Sequence, residues 1–306
     1  MSDKFRTFLK RLFSTVLLLL LLGGALWWDS PVGYGLLICL LCNLTSWEWF
    51  CMTREHREEV CRPLALGAGL LYPWLMFGAV LLDIHARGLQ ENSNINSFVF
   101  PFDFSATALG ILVLYTLIVF FCGLFRMDYR GKSGAQALAG VGLGILGFIY
   151  PVWLFAFSLS ALTSQESIRT LLWLVLVTKL SDICAYLCGV SLGGRFIRRR
   201  FSPAVSPKKS WEGIIGSFLL TSLCGYALLE NLTNFPFPLE TGTFFCVLMP
   251  AIFVLSVAGD LAGSLIKRGL NVKDSGSLLP GIGGIFDLLD SPAFTVSFFV
   301  AVLVVL

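Results

Sequence analysis

The sequence is short of charge. Only 13% of its 306 residues are Asp, Glu, Lys or Arg, against about 25% in an ordinary soluble domain. A folded chain this poor in charge cannot cover its surface in water. A soluble enzyme, a disordered tail and a secreted disulfide scaffold are thereby excluded. Histidine is nearly absent: His56 and His85 are the two, and they fall in predicted loops on opposite sides. A histidine-based metal site or a Ser-His-Asp triad has no material to work with. The nine cysteines are an odd count, and most lie in apolar stretches. Cys39-Leu-Leu-Cys42 has metal-like spacing but no third ligand, so the cysteines read as small packing residues. The net charge of +3 is too small to indicate a nucleic-acid partner.

What is present is apolar: 56% of the residues are hydrophobic. The segments 12–28, 32–50, 63–83, 106–125, 135–159, 168–190, 213–229, 243–266 and 291–306 each approach or reach the roughly 17–25 residues that cross a bilayer as a helix. An all-α, polytopic membrane protein of about nine spans is expected. Barrel strands are shorter and alternate in polarity. The uncharged stretch from Ser133 to Gln165 has a Gly-rich first half, predicted to be less regular than one straight helix. No small-x-small cleavage site is evident before Asp29, so the first span is expected to be retained.

Basic residues orient the spans. Nearly all of the 22 Lys and Arg fall on one side: before the first span and after the second, fourth, sixth and eighth. Only Arg87 and Arg169 fall on the other side, and Lys179 lies within a span. The N-terminus is expected in the cytoplasm and the C-terminus outside.

The two halves differ. Residues 1–165 read as a scaffold of five spans, with a mixed-charge turn at Arg54–Glu59 and a polar connector at 84–105. Glu48, near the inner end of the second span, is the one candidate exception to a half with no assigned chemistry; of the two readings, a carboxylate snorkelling to the surface is favoured. Residues 166–306 gather ionisable groups at the cytoplasmic ends of spans, where their desolvation cost makes them functional suspects. The halves do not mirror each other in polar pattern, which weakens an inverted-repeat transporter reading.

Four constellations stand out. Lys179, Asp182 and Tyr186 share a helix face at i, i+3 and i+7; the pair is either a self-satisfied ion pair or a carboxylate helping to hold a metal or orient a substrate. The loop 191–212 opens on Gly193-Gly194-Arg195 and closes on Ser206-Pro-Lys208-Lys209-Ser210-Trp211-Glu212-Gly213. Ser210 is a predicted N-cap with Glu212 in the first turn, and a basic loop opening onto a helix N-terminus suits an anion. Asp260, Ser264 and Lys267 share a face, with Arg268 adjacent; a helix end explains the cations but not Asp260. Finally, Lys273-Asp274-Ser-Gly precedes Pro280-Gly281-Ile282-Gly283-Gly284-Ile-Phe-Asp287-Leu288-Leu-Asp290-Ser291-Pro292. The glycines let backbone approach a ligand closely. Asp287 and Asp290 can converge on one ion if that turn is helical; a cap accounts for Asp290 but not for Asp287. Ser291-Pro292 is predicted to open the last span as N-cap and N1. Carboxylates suit a hard cation such as Mg²⁺, and lysines and glycine backbone suit phosphates. The chemistry that fits is metal-assisted phosphoryl or nucleotidyl transfer at a membrane surface.

These residues are familiar as a set. Gly259-Asp260-x-x-x-Ser264-x-x-Lys267-Arg268, Lys273-Asp274-Ser-Gly and Pro-Gly-x-Gly-Gly-x-x-Asp287-x-x-Asp290-Ser resemble the signature of the phosphatidate cytidylyltransferases (CDP-diacylglycerol synthases). Asp182-x-x-Ala-Tyr186 and Ser206-Pro-Lys-Lys-Ser-Trp-Glu-Gly213 are similar to two upstream motifs of that family, so the resemblance covers roughly 178–292. The family has His where this chain has Ile282 and Arg where it has Leu288, which removes a hydrogen-bond donor and a phosphate-pairing cation. The resemblance implies that CTP and phosphatidic acid give CDP-diacylglycerol and pyrophosphate. It implies that Asp260, Asp287 and Asp290 hold Mg²⁺, with K⁺ as a second ion and Asp182 as a further ligand or the partner of Lys179. It assigns Lys267, Arg268, Lys208 and Lys209 to phosphates, with Ser264, Lys273, Asp274, Gly283 and Gly284 at the substrate.

Two other readings stay open at this level. A CTP-dependent polyprenol or phytol kinase would release CDP rather than pyrophosphate. An ion-coupled lipid transporter would place its aspartates at mid-membrane. The compact chain leans toward a bacterial inner membrane, with the active site cytoplasmic. Acyl-chain preference and oligomeric state, a homodimer included, are not written in the sequence.

Overall fold

The computed structural model describes residues 24, 30–54, 62–92, 103–130, 133–163, 165–197, 200–203, 205–232, 243–276, 278–279 and 283–305. The predicted span 12–28, apart from Gly24, the basic N-terminal residues, His56 and Ile282 lie outside that set. Among the described residues, seven helical segments are long and apolar enough to cross a membrane: Pro31–Met52, Arg62–Gly88, Phe104–Phe125, Gly134–Thr163, Ile168–Leu192, Trp211–Leu229 and Phe244–Gly269. Their lipid-sided residues are large and bare: on the third of them Phe121 is 67% exposed, which water would penalise and acyl chains do not.

The chain divides into two compact units. The first comprises Met1–Thr163 and Asp274–Phe286, the second Ser164–Lys273 and Asp287–Leu306. The sequence-based division at 165/166 puts 274–286 in the second half; contacts put it in the first.

In the first unit, α1 (Pro31–Met52) starts on Ser30, whose Oγ accepts the Val32 N–H at 3.3 Å, with Pro31 at the first helical position. Cys39 and Cys42 are buried in it. Helix α2 (Arg62–Asn92) runs on through the stretch expected as a connector from residue 84. No proline interrupts it there, and Arg87 pairs with Asp83 one turn earlier at 2.7 Å. Helices α3 (Phe104–Arg130) and α4 (Gly134–Phe148) follow. The irregularity expected in the Gly-rich first half of the stretch Ser133 to Gln165 lies in the second half. Residues Gly134–Phe148 form a regular helix with a capping box at Ser133 and Gln136. Ile149–Trp153 is π-helical, and after a single α-turn Phe157–Thr163 tightens to a 3₁₀ helix. Pro151 supplies the reason: it has no N–H to donate and its ring crowds the preceding turn. Its carbonyl accepts the Thr45 hydroxyl of α1 at 3.2 Å. Such interhelical bonds and close packing, rather than hydrophobic burial, hold helices together in lipid.

In the second unit, α5 (Gln165–Leu192) and α6 (Trp211–Leu232) form an antiparallel pair. Trp173, fully buried, donates its indole N–H to the Gly225 carbonyl at 2.9 Å. Between them β1 (Arg200–Ser202) and β2 (Ser206–Ser210) make a small antiparallel hairpin. Helix α7 (Met249–Gly269) follows a π-helical turn at Phe244–Leu248. Helix α8 runs Ile285–Val305 and holds Pro292 in its interior. The expected start at Ser291-Pro292 is therefore corrected by nearly two turns. The first turn of α8 finds its cap elsewhere in the chain. Asp290 also takes up the Ser291 N–H at 2.8 Å beside the proline, where the helical ladder is already interrupted.

Candidate active site

In the second unit the carboxylates singled out by sequence come together with lysines. Lys179 and Asp182, one turn apart on α5, pair at 3.0 Å. Lys179 also lies 3.9 Å from Asp290 on α8. Lys267 on α7 pairs closely with Asp287 and lies 3.9 Å from Asp290. Asp182, Lys179, Asp290, Lys267 and Asp287 thus form one chain of alternating charge across three helices. Lys209 at the end of β2 pairs with Asp260 on α7 at 2.5 Å. Helices α7 and α8 meet where a Cβ on Gly259 would lie 2.9 Å from Ser291 Cα. Only a glycine permits that approach to the backbone of Asp290 and Ser291.

The pairing follows from desolvation. Lys267 is 8% exposed and Asp290 5%. An unpaired ion so deeply placed would cost several kcal/mol. Each carboxylate therefore takes a cation from within the chain.

A cavity of about 310 Å³ opens beside this network. Its lining includes the charged side chains of Asp182, Lys209 and Asp260 and the larger apolar ones of Tyr186, Val190 and Ile214. A space lined by both charged and greasy side chains suits a molecule that carries both characters.

The basic loop has an ordered core. Ser210 Oγ accepts the Gly213 N–H at 3.1 Å, so the predicted N-cap of α6 is present. Glu212 does more than face a helix dipole: Oε1 accepts the N–H groups of Gly194, Phe196 and Ile197 at 3.2, 3.0 and 2.7 Å. Glycine at 213 eases the packing, because a Cβ there would lie 3.1 Å from the Ala185 carbonyl. The Trp-Glu-Gly run thereby folds the loop and aims β2 so that Lys209 reaches Asp260.

The remaining candidates are scattered. Ser264 is half-buried on α7. Arg268 is exposed and donates to the Val272 carbonyl at 3.3 Å. Lys208 belongs to β2, its side chain outside the described residues. Lys273 and Asp274 are exposed in the bend after α7. Asp274, Gly283 and Gly284 belong to the first unit. Gly283, with φ 128°, bridges Leu279.

Glu48 is where sequence reasoning misjudged a residue. It does not snorkel: it is 2% exposed, with Oε1 accepting the Ile285 N–H at 2.9 Å and Oε2 accepting the Phe286 N–H at 2.8 Å and the Ser275 hydroxyl at 3.0 Å. Amide donors compensate its burial, which a surface escape would leave unused. The available signal was a carboxylate within an apolar span.

Among the described residues, no three His, Cys, Asp or Glu side chains converge as a metal cage. The donor set is nevertheless carboxylate oxygen, and Mg²⁺ is usually held by one or two carboxylates with phosphate oxygens completing its shell. Asp182 and Asp260, which both line the cavity, fit that requirement.

Comparison with known proteins gives a consistent picture. The pattern of the Cytidylyltransferase family matches residues 9–306. A phosphatidate cytidylyltransferase of Helicobacter pylori (strain ATCC 700392 / 26695) is 33% identical over 72% of this chain and 79% of its own length. A phosphatidate cytidylyltransferase of Haemophilus influenzae is 36% identical, but the match spans 42% of this chain and 43% of that protein. One of Brucella suis is 34% identical over 59% of this chain and 62% of its own length.

Proposed function

Since the chain belongs to the Cytidylyltransferase family, and is a membrane-embedded transferase of that class, we propose that it joins CTP to phosphatidic acid, forming CDP-diacylglycerol and pyrophosphate. The observation that carries this reading is the cavity whose lining combines Asp182, Lys209 and Asp260 with Tyr186, Val190 and Ile214. A phosphate-bearing lipid combines the same two characters. The site is proposed to face the cytoplasm of a bacterial inner membrane, where CTP is available; the basic residues that follow alternate spans support that orientation.

The reaction brings two anions together. A phosphate oxygen of the lipid attacks the α-phosphorus of CTP, the bond from that phosphorus to the α–β bridging oxygen breaks, and pyrophosphate leaves with the electron pair. The nucleophile is already ionised near neutral pH, so no general base is needed. The chain's contribution is charge. Lys209, Lys267 and Lys179 each hold a carboxylate now. On substrate binding they turn to phosphate oxygens, with Lys208 and Arg268 as further cations. Asp182 and Asp260, which line the cavity, would then be available to hold Mg²⁺, with Asp287 and Asp290 as the further carboxylates that the family signature assigns to it. When bound, that ion neutralises phosphate charge in the transition state. Lysine suits the exchange because it is a flexible point charge rather than a fixed fork.

The test is an assay of purified protein with labelled CTP, phosphatidic acid and Mg²⁺, with and without K⁺. The expected products are lipid-linked CMP and pyrophosphate in equal amounts. Release of CDP with a phosphorylated isoprenoid alcohol, or no nucleotide turnover at all, overturns the reading.

A further inference from the structure

We propose that Glu48 is a positioning residue for this reaction, holding from α1 the N-terminal turn of the helix that carries Asp287 and Asp290. The inference rests on the function proposed above and extends it to a half of the chain whose sequence suggests only scaffold.

Helix α8 begins at Ile285, and its first N–H groups have no intrahelical partner. Sequence offers no Ser, Thr, Asp or Asn immediately before it: residues 283 and 284 are glycines. The missing acceptor comes from more than 230 positions earlier in the chain. One carboxylate oxygen takes Ile285 N–H and the other takes Phe286 N–H, so both oxygens of one rigid, planar group fix two successive peptides. A negative charge at that end also meets the positive pole of the helix. Ser275 adds a third bond, tying the Lys273-Asp-Ser-Gly276 turn to the same group. Glu48, Ser275, Ile285 and Phe286 all belong to the first unit.

The surrounding glycines are spaced for this carboxylate. A Cβ on Gly276 would stand 2.8 Å from Oε1 of Glu48. A Cβ on Gly284 would collide with both the Glu48 carboxylate and the Ser275 hydroxyl. At least these two glycines of the signature thus serve an internal anion. The Phe286 ring is packed by Trp49 and Tyr150, with centroids 6.2 and 5.3 Å away. Asp287 is the next residue, and Asp290 lies one turn further on. Setting the first two peptides of α8 sets the direction in which both aspartates leave the helix.

A purely structural tie would change stability and leave turnover per folded molecule alone, so the test must separate the two. Glu48→Gln replaces one acceptor oxygen by an NH₂ donor facing an amide N–H, at nearly unchanged volume. Hydrogen exchange of the full-length protein, without Mg²⁺ or substrate, is expected to rise at least about tenfold at amides 285–290 and to stay unchanged in α5 and α6. In the assay above, kcat per folded molecule is expected to fall about 10–100-fold, the usual range for loss of a group that orients a ligand-bearing residue. The KM for CTP is expected to move less than about threefold, because no CTP contact is removed. Glu48→Asp, which keeps both oxygens on a shorter arm, should recover part of kcat.

If amides 285–290 exchange as in the wild type, or if kcat is unchanged despite faster exchange, the proposal is wrong. If Glu48→Gln does not fold, Ser275→Ala decides, since it removes one of the three donors without exposing a charge: a kcat fall of about threefold supports the proposal and an unchanged kcat overturns it. An inactive wild type would sink the proposed function instead; the exchange measurement would then judge the hold on α8 by itself.

Discussion

The two units handle buried negative charge in opposite ways. In the first, the described donors to Glu48 include three that cannot leave: two peptide N–H groups and a short hydroxyl arm. In the second, Asp182, Asp260, Asp287 and Asp290 are met by lysines, whose long arms can swing to other anions. A carboxylate locked by backbone is a fastener. A carboxylate balanced by lysine is a site in waiting, because carboxylate and cation each have another use once a nucleotide and a metal arrive. Burial alone does not separate the two kinds; the mobility of the partner does.

The contrast breaks most completely at Asp287. Asp287→Asn is expected to lower kcat by about 10²–10³-fold or more, the scale of losing one preorganised electrostatic group, while expression and membrane insertion persist. Scintillation counting of lipid-linked CMP per folded molecule reads it; a wild-type rate would remove the metal assignment. Glu48→Ala should act on the other axis and remove the acceptor of the Ile285, Phe286 and Ser275 donors, lowering stability by about 3–5 kcal/mol at roughly 1–3 kcal/mol for each buried donor that loses its acceptor. Thermal unfolding in detergent measures this, and a loss below about 1 kcal/mol would deny that Glu48 fastens anything.

Gly284→Ala sharpens the same point with a single methyl group. Its Cβ meets Glu48 and Ser275, so about 1–3 kcal/mol of destabilisation is expected. Gly269→Ala, where nothing stands within 4 Å, serves as the control and should cost nothing by comparison. Equal melting temperatures for the two variants would contradict the packing described. Lys209→Met is expected to raise the KM for CTP about tenfold, worth roughly 1.4 kcal/mol, with little change in stability because Asp260 is partly open to the cavity. An unaltered KM would take Lys209 out of phosphate binding. The smallest effect is expected from Ser210→Ala, about 1 kcal/mol for a lost N-cap, visible as faster amide exchange in the first turn of α6.

Much of the second unit is legible from local pattern. The i, i+3 spacing of Lys179 and Asp182 implies their contact, and Ser210 before Trp211-Glu212 announces a cap that is present. The start of α8 is not legible, because Ser291-Pro292 looks like a helix opening by every local rule while the true cap is donated from α1. The break in 134–163 is misplaced for a related reason: glycines suggest looseness, yet in an apolar setting they allow close helix packing, and the proline further on disturbs the ladder. Lys267 and Asp287 carry ordinary motif signals, but nothing local says that they meet.

By itself the sequence determined the membrane-embedded, helical character of the chain, since scarcity of charge and length of apolar runs are properties of composition and order. It also determined which residue types are available for chemistry. Tertiary structure alone decided which partner each acid takes. Pairing of buried charge depends on which groups are brought within a few ångströms of each other, and those groups come from helices far apart in the chain. Glu48 is the clearest instance, an isolated acid in a greasy helix until folding brings the start of α8 to its two oxygens.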